Sequence, residues 1–92
     1  MKLIIGSNHF LKFKKRSPAN LQLEIDHRVR AILKNPKIGE LKKGALKGIR
    51  VIKFKYKTQT YLLSYEVKNK TLYLYTIGSH ENYYKKLKQF LH

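Results

Sequence analysis

The stretch Ile49-Arg50-Val51-Ile52-Lys53-Phe54-Lys55-Tyr56-Lys57 alternates basic and apolar residues at a period of two over its second half. Two is the period of a β-strand, in which successive side chains leave opposite faces. Lys53, Lys55 and Lys57 then share one face, and Arg50, Ile52, Phe54 and Tyr56 share the other. Working outward, Thr58-Gln59-Thr60 supplies a turn or a continuation of the strand. Tyr61 to Val67 makes a second strand with Tyr61, Leu63, Tyr65 and Val67 on one face. Lys68-Asn69-Lys70 is a tight turn. Thr71 to Ile77 makes a third strand, with Leu72 and Leu74 opposite Tyr73, Tyr75 and Ile77, and Gly78-Ser79 ends it. Three strands joined by short turns form an antiparallel meander.

Upstream, Lys2 to Ile5 is a short strand ended by Gly6, and Ser7 caps a helix over roughly residues 8–15. Ser17-Pro18 reads as a second cap with proline at the first helical position. Leu21, Ile25, Val29 and Ile32/Leu33 then form one apolar stripe on a helix that runs to about Lys34, where Asn35-Pro36 stops it. Residues 37–48 form a polar connector in which Lys37, Lys42, Lys43 and Lys47 outnumber the one acid, Glu40. Downstream of the meander, Tyr83/Tyr84, Leu87 and Phe90/Leu91 recur at helical spacing, with Lys85, Lys86 and Lys88 on the remaining face. The fold class is α+β: a short N-terminal strand, a helical hairpin, a three-stranded antiparallel meander and a C-terminal helix, in one domain over residues 1–92.

Ninety-two residues, 42% of them hydrophobic and seven of them tyrosine, can build one small core. The formal net charge is +16, from 21 Lys+Arg against five acids. A partner that neutralises this charge stabilises the chain by mass action, and nucleic acid or an acidic protein fits. The absence of cysteine excludes disulfides and thiolate metal sites and suits a cytoplasmic location. The apolar run after Lys2 is too short for a signal-peptide core or a membrane span. His9, His27, His80 and His92 lack ligand-like spacing, so neither a metal nor a cofactor is expected.

Two constellations can carry chemistry. The lysine row on rigid backbone suits RNA or DNA phosphate, and it equally suits a solvated face whose charges discourage edge pairing. The segment Gly78-Ser79-His80-Glu81-Asn82-Tyr83-Tyr84 offers a general acid or base in His80, a carboxylate in Glu81 and two rings on which a base can stack. Its structural alternative is a helix start, with Ser79 as cap and Glu81 in the first turn.

These residues carry a family likeness. Leu46-Lys47-Gly48-Ile49-Arg50-Val51 resembles the Leu-x-Gly-x-Arg-x entry into the central sheet of the RelE/ParE superfamily, small bacterial toxins of type II toxin–antitoxin systems. Tyr61-Leu62-Leu63-Ser64-Tyr65-Glu66-Val67 resembles the Tyr-x-x-x-Tyr-x-Val strand of that superfamily. Ile77-Gly78-Ser79-His80 followed by Tyr84 resembles its ending. The resemblance implies a microbial-RNase-like sheet and a metal-independent endoribonuclease that cleaves mRNA on the ribosome. It puts the catalytic lysines at Lys53 and Lys55, the proton-transferring residue at His80 with Glu81 as its helper or substitute, and the base-stacking ring at Tyr84. Arg50, Lys57, Lys43, Lys47 and Tyr83 become RNA-binding candidates. At the position where RelE-like members place a functional arginine, this chain has Leu62. That departure keeps open a ParE-like inhibitor of DNA gyrase without nuclease activity, and the basic face alone would also suit a plain RNA-binding module. Toxin readings imply an acidic antitoxin partner beside mRNA and ribosomal RNA, and no membrane.

Overall fold

The computed structural model describes residues 3–44 and 47–80. In chain order the elements are β1 (Leu3–Gly6), α1 (Asn8–Arg16), α2 (Ala19–Lys34), β2 (Glu40–Leu41), β3 (Arg50–Tyr56), β4 (Gln59–Lys68) and β5 (Thr71–Ser79). They form one five-stranded sheet in the order β1-β5-β4-β3-β2. β1 runs parallel to β5 and the remaining pairs are antiparallel, so the expected meander is the centre of the sheet. The α+β architecture is the expected one. The helix expected downstream of His80, and Leu46 of the sheet-entry motif, lie outside the described residues.

Both helices pack on one sheet face. Phe10, Leu21, Ile25 and Ile32 meet Ile52, Phe54, Leu63, Tyr65, Leu72, Leu74 and Ile77 in a single core, with Val29 and Leu33 packed against it. Each such aliphatic side chain stabilises the fold by about 1.5–3 kcal/mol relative to exposure. The stripe on α2 is therefore the reason it is a helix here. Ser7 caps α1 as expected, accepting from the Phe10 N–H at 3.1 Å. At the second helix the details differ. Pro18 occupies the cap position and offers no side-chain bond, while Ser17 closes α1 instead, its hydroxyl donating to the Phe13 carbonyl at 2.8 Å.

The turns and the connector are now defined. The β3–β4 turn is only Lys57 and Thr58, so Gln59 and Thr60 already belong to β4. Lys57 has φ +56° and leaves the lysine row; its ammonium lies 5.6 Å from the Tyr56 ring centroid. The polar connector contains β2, two residues paired with β3. The Asn69–Lys70 turn has φ +51° and +62°, the doubly positive geometry that matches strand twist in a two-residue hairpin.

The consequential difference lies in β5. The strand does not break at Gly78; it runs to Ser79 and carries a bulge. Ser64 pairs with Thr76 but Tyr65 pairs with Leu74, which leaves Tyr75 unopposed. One extra residue inverts the alternation beyond it. Ile77 therefore joins Leu72 and Leu74 on the core face instead of opposing them. The bulge is held from both sides. The Ser64 hydroxyl accepts from the Thr76 N–H at 2.9 Å, and the Ser7 hydroxyl donates to the Tyr75 carbonyl.

Candidate active site and nucleic-acid interface

Beyond the bulge, the residues opposite the core are Thr76, Gly78 and His80. Register carries this across the sheet: Val51, Ser64 and Thr76 form one row, and Lys53, Leu62 and Gly78 form the next. Lys55 stands opposite Thr60, whose carbonyl accepts from the His80 N–H at 3.1 Å. Lys53, Lys55 and His80 thus share one face, away from the helices. An unbulged β5 would have turned His80 to the core side.

Lys53 and His80 line one open depression of about 590 Å³, with Thr58, Gln59 and Thr60 as its floor and rim. Lys53 and Lys55 are exposed on rigid central backbone. Beside them Leu62, Ser64 and Thr76 are buried on this same face, so the cations flank a strip withdrawn from water. A cation held next to low-dielectric surface attracts phosphate more strongly than one surrounded by water. Leu62 lies directly opposite Lys53 and is fully buried, so the neighbouring strand adds no charge at that row.

A residue missed by the sequence reading stands on this face. Glu40 lies opposite Val51, one row from Lys53. It lines a smaller depression of about 280 Å³ whose wall also includes Lys53, and it lies 3.2 Å from the Lys42 ammonium. Lys53 therefore sits between a carboxylate on one side and an imidazole on the other. The signal available in the sequence was the isolation of Glu40 as the one acid in a basic connector.

The placement of Glu40 depends on a linker that Tyr65 fixes. The Tyr65 hydroxyl accepts from the Gly39 N–H at 2.9 Å and donates to the Pro36 carbonyl at 2.7 Å. A Cβ on Gly39 would come within 2.8 Å of the Tyr65 ring, so only glycine permits this approach. Burial pushes the Tyr65 phenol above its ordinary pKa, against the pull of the Gly39 N–H and the Arg50 charge. Gly48, in the sheet-entry motif, has φ +89° and would carry a Cβ 3.0 Å from the Glu66 carboxylate. That motif glycine answers both to backbone conformation and to close approach.

Of the remaining candidates, Arg50, Lys43, Lys47 and Lys57 line neither depression. The Arg50 guanidinium donates to the Gly39 carbonyl at 2.9 Å on the core side, where it secures the linker. Lys43 and Lys47 are exposed outside both depressions, and Lys57 is in the turn. Glu81, Tyr83 and Tyr84 lie outside the described residues. Among the described residues, no cluster of three His, Asp or Glu could hold a metal ion, and no helix is long and apolar enough to cross a membrane.

A helix-backed, largely antiparallel sheet in this element order is the fold shared with solved structures of the toxin RelE. The E. coli toxin RelE, in a doubly substituted form in the free state, aligns with a TM-score of 0.70 at 17% identity, covering 95% of each chain. RelE in the intact E. coli RelBE toxin-antitoxin complex gives 0.66 at 17% identity over 83% of this chain and 93% of that one. These likenesses are of fold. The conserved hypothetical protein HP0892 from Helicobacter pylori gives 0.57 at 26% identity, covering 88% of this chain and 97% of that one. No curated protein matches by sequence. The family model of the ParE-like toxins of type II bacterial toxin-antitoxin systems matches residues 4–88, and the chain belongs to that family.

Proposed function

We propose that this toxin is a ribosome-dependent mRNA endoribonuclease. The observation that carries the reading is the joint placement of Lys53 and His80 in one depression. The reaction is transfer within an RNA phosphodiester. The 2′-oxygen loses its proton and bonds to phosphorus, and the bond from phosphorus to the 5′-oxygen breaks. The products are a 2′,3′-cyclic phosphate and a 5′-hydroxyl. Lys53 and Lys55 stabilise the charge that grows on the non-bridging oxygens. His80 delivers a proton to the departing 5′-oxygen. Glu40, across Lys53 from His80, takes the 2′-hydroxyl proton, with Glu81 as the alternative base offered by the family likeness. Tyr84 stacks the target base and Tyr83 supports it, on the same likeness. Arg50, Lys43, Lys47 and Lys57 remain for longer-range attraction of RNA. An acidic antitoxin, of the kind with which RelE is complexed in RelBE, covers the basic face when the toxin is silent.

The test is to incubate protein, ribosomes and a defined mRNA and to map new 5′ ends. General acid–base work contributes about 10²- to 10⁴-fold, so His80→Ala should lower cleavage at least about tenfold while the fold survives. Undiminished cleavage would remove His80 from the mechanism. A second reading, inhibition of DNA gyrase, draws support from buried Leu62 where cleaving relatives carry arginine. A supercoiling assay separates the two: inhibition that survives alanine at Lys53, Lys55 and His80 favours the gyrase reading.

A further inference from the structure

On the helix-covered side, α1, the start of α2 and Tyr61 enclose a separate cleft of about 460 Å³. His9, Lys12, Phe13 and Arg16 line it from α1. They occupy positions i, i+3, i+4 and i+7, a single stripe along the helix. No acid lines the cleft, and no ion pair to Lys12 or Arg16 exists among the described residues. Lys14, elsewhere on the same helix, is paired with Asp26. Two like charges four residues apart on a helix repel, so the fold gains nothing from this pair.

The rings are held ready. Phe13 and Tyr61 meet edge to face with centroids 6.0 Å apart, and Tyr61 stacks on Phe54 at 5.7 Å. His9 Nε2 lies 3.2 Å from the Ile77 carbonyl, which anchors the imidazole at the cleft wall. Cations beside preset ring faces suit phosphates joined to bases; an acidic peptide would use the charge but not the rings. The cleft is also continuous with the first site along the chain. Thr60 lines the depression of Lys53 and His80, while Tyr61, the next residue, lines this cleft on the opposite face.

We propose that this cleft is a second subsite for single-stranded RNA, in which Lys12 and Arg16 bind phosphates and Tyr61 receives a base. The inference rests on the reading of the Lys53 face as an RNA site and extends it. A strand engaged at Lys53 continues past the start of β4 at Gln59 and Thr60 and reaches α1.

Fluorescence anisotropy with labelled 2′-O-methyl RNA, which cannot be cleaved, tests this with a trinucleotide and with a strand of about ten nucleotides, within the span of single-strand binding sites. Each phosphate contact to a single strand contributes about 0.7 to the slope of log affinity against log salt, so Lys12→Ala/Arg16→Ala should lower the slope for the longer strand by about 1.4. Trinucleotide binding should be unchanged. Tyr61→Leu, which keeps an apolar side chain against Phe54, should weaken the longer strand by roughly 5- to 150-fold, the contribution of one stacked base. Melting curves check that each variant is folded. An unchanged slope overturns the proposal, including the case in which the double variant instead loses affinity for an acidic partner protein; so does a wild type that binds neither strand. Failure of the underlying reading shows separately, as a wild type that does not cleave mRNA on ribosomes. A protein that cleaves but whose slope ignores Lys12 and Arg16 refutes only the second subsite.

Discussion

Tyr65→Phe isolates the link between the core and the site. The ring stays, so the packing of this fully buried side chain is preserved. What disappears is one hydroxyl with two partners, the Gly39 N–H at 2.9 Å and the Pro36 carbonyl at 2.7 Å. Gly39 is buried, and its N–H then has no acceptor where the hydroxyl stood. A buried donor without a partner costs about 1–3 kcal/mol. Pro36 is half-buried and recovers part of its loss through water, so the expected total is about 2 kcal/mol. For a domain of this size that lowers Tm by roughly 8–16 °C. Urea denaturation with an unchanged m-value, followed by a thermal scan, measures both quantities. A loss below about 0.5 kcal/mol, the range of ordinary surface substitutions, would refute the argument that this hydroxyl fixes the linker.

Two further predictions concern Glu40 and Tyr75. Glu40→Gln should reduce mRNA cleavage at least about tenfold at neutral pH if its carboxylate is the base. Stability should barely change, because the Glu40 side chain is 74% exposed and its ion pair with Lys42 is a surface one; full activity in a folded variant would return the role to Glu81. Tyr75 has its phenol pushed far above the ordinary value by burial and by its hydrogen bond to Glu66, and burial also raises Tyr65. For a group raised in the folded state, the stabilisation is complete below the unfolded value, near pH 10, and declines above it as the unfolded chain ionises first. Stability should therefore fall as pH rises beyond 10, more steeply in wild type than in Tyr75→Phe; equal slopes in denaturation series would contradict the assignment.

The helices were legible because their signals are local. Ser7 caps α1, the stripe from Leu21 to Ile32 has a 3.6-residue period, and Asn35-Pro36 stops α2. The meander was legible because β3 alternates lysine with rings and because Asn69-Lys70 is a turn pair. What escaped was decided by partners in space. β2 is two residues long and exists through the pairing of Glu40 and Leu41 with Val51 and Arg50 of β3. The bulge was invisible because Tyr73, Tyr75 and Ile77 satisfy a simple alternation, and only the Ser64–Thr76 register contradicts it. The same blindness hid part of the site. Lys53 could be read from its own strand and His80 from the segment that follows the last strand, but their common face follows from the bulge. For Arg50, a basic residue in a basic chain gives no hint that linker carbonyls will hold its guanidinium.

The bulge at Tyr75 also gives β5 something like a reading frame. Upstream of it, odd and even positions have one meaning; downstream they exchange meanings, and Ile77 and His80 are read in the second phase. Removal of the Tyr75 codon itself would merge the two frames: Thr76 would follow Leu74 directly, so Leu72, Leu74 and Ile77 would keep the core face and His80 the lysine face with no bulge at all. Removal of the Gly78 or the Ser79 codon would leave charge and nearly every apolar residue in place, yet it would present the strand with a choice, either to keep Ile77 in the core and turn His80 from the lysine face, or the reverse. The single unpaired residue is thus a spare letter in the strand, and the hydroxyls of Ser7 and Ser64 hold it in its place.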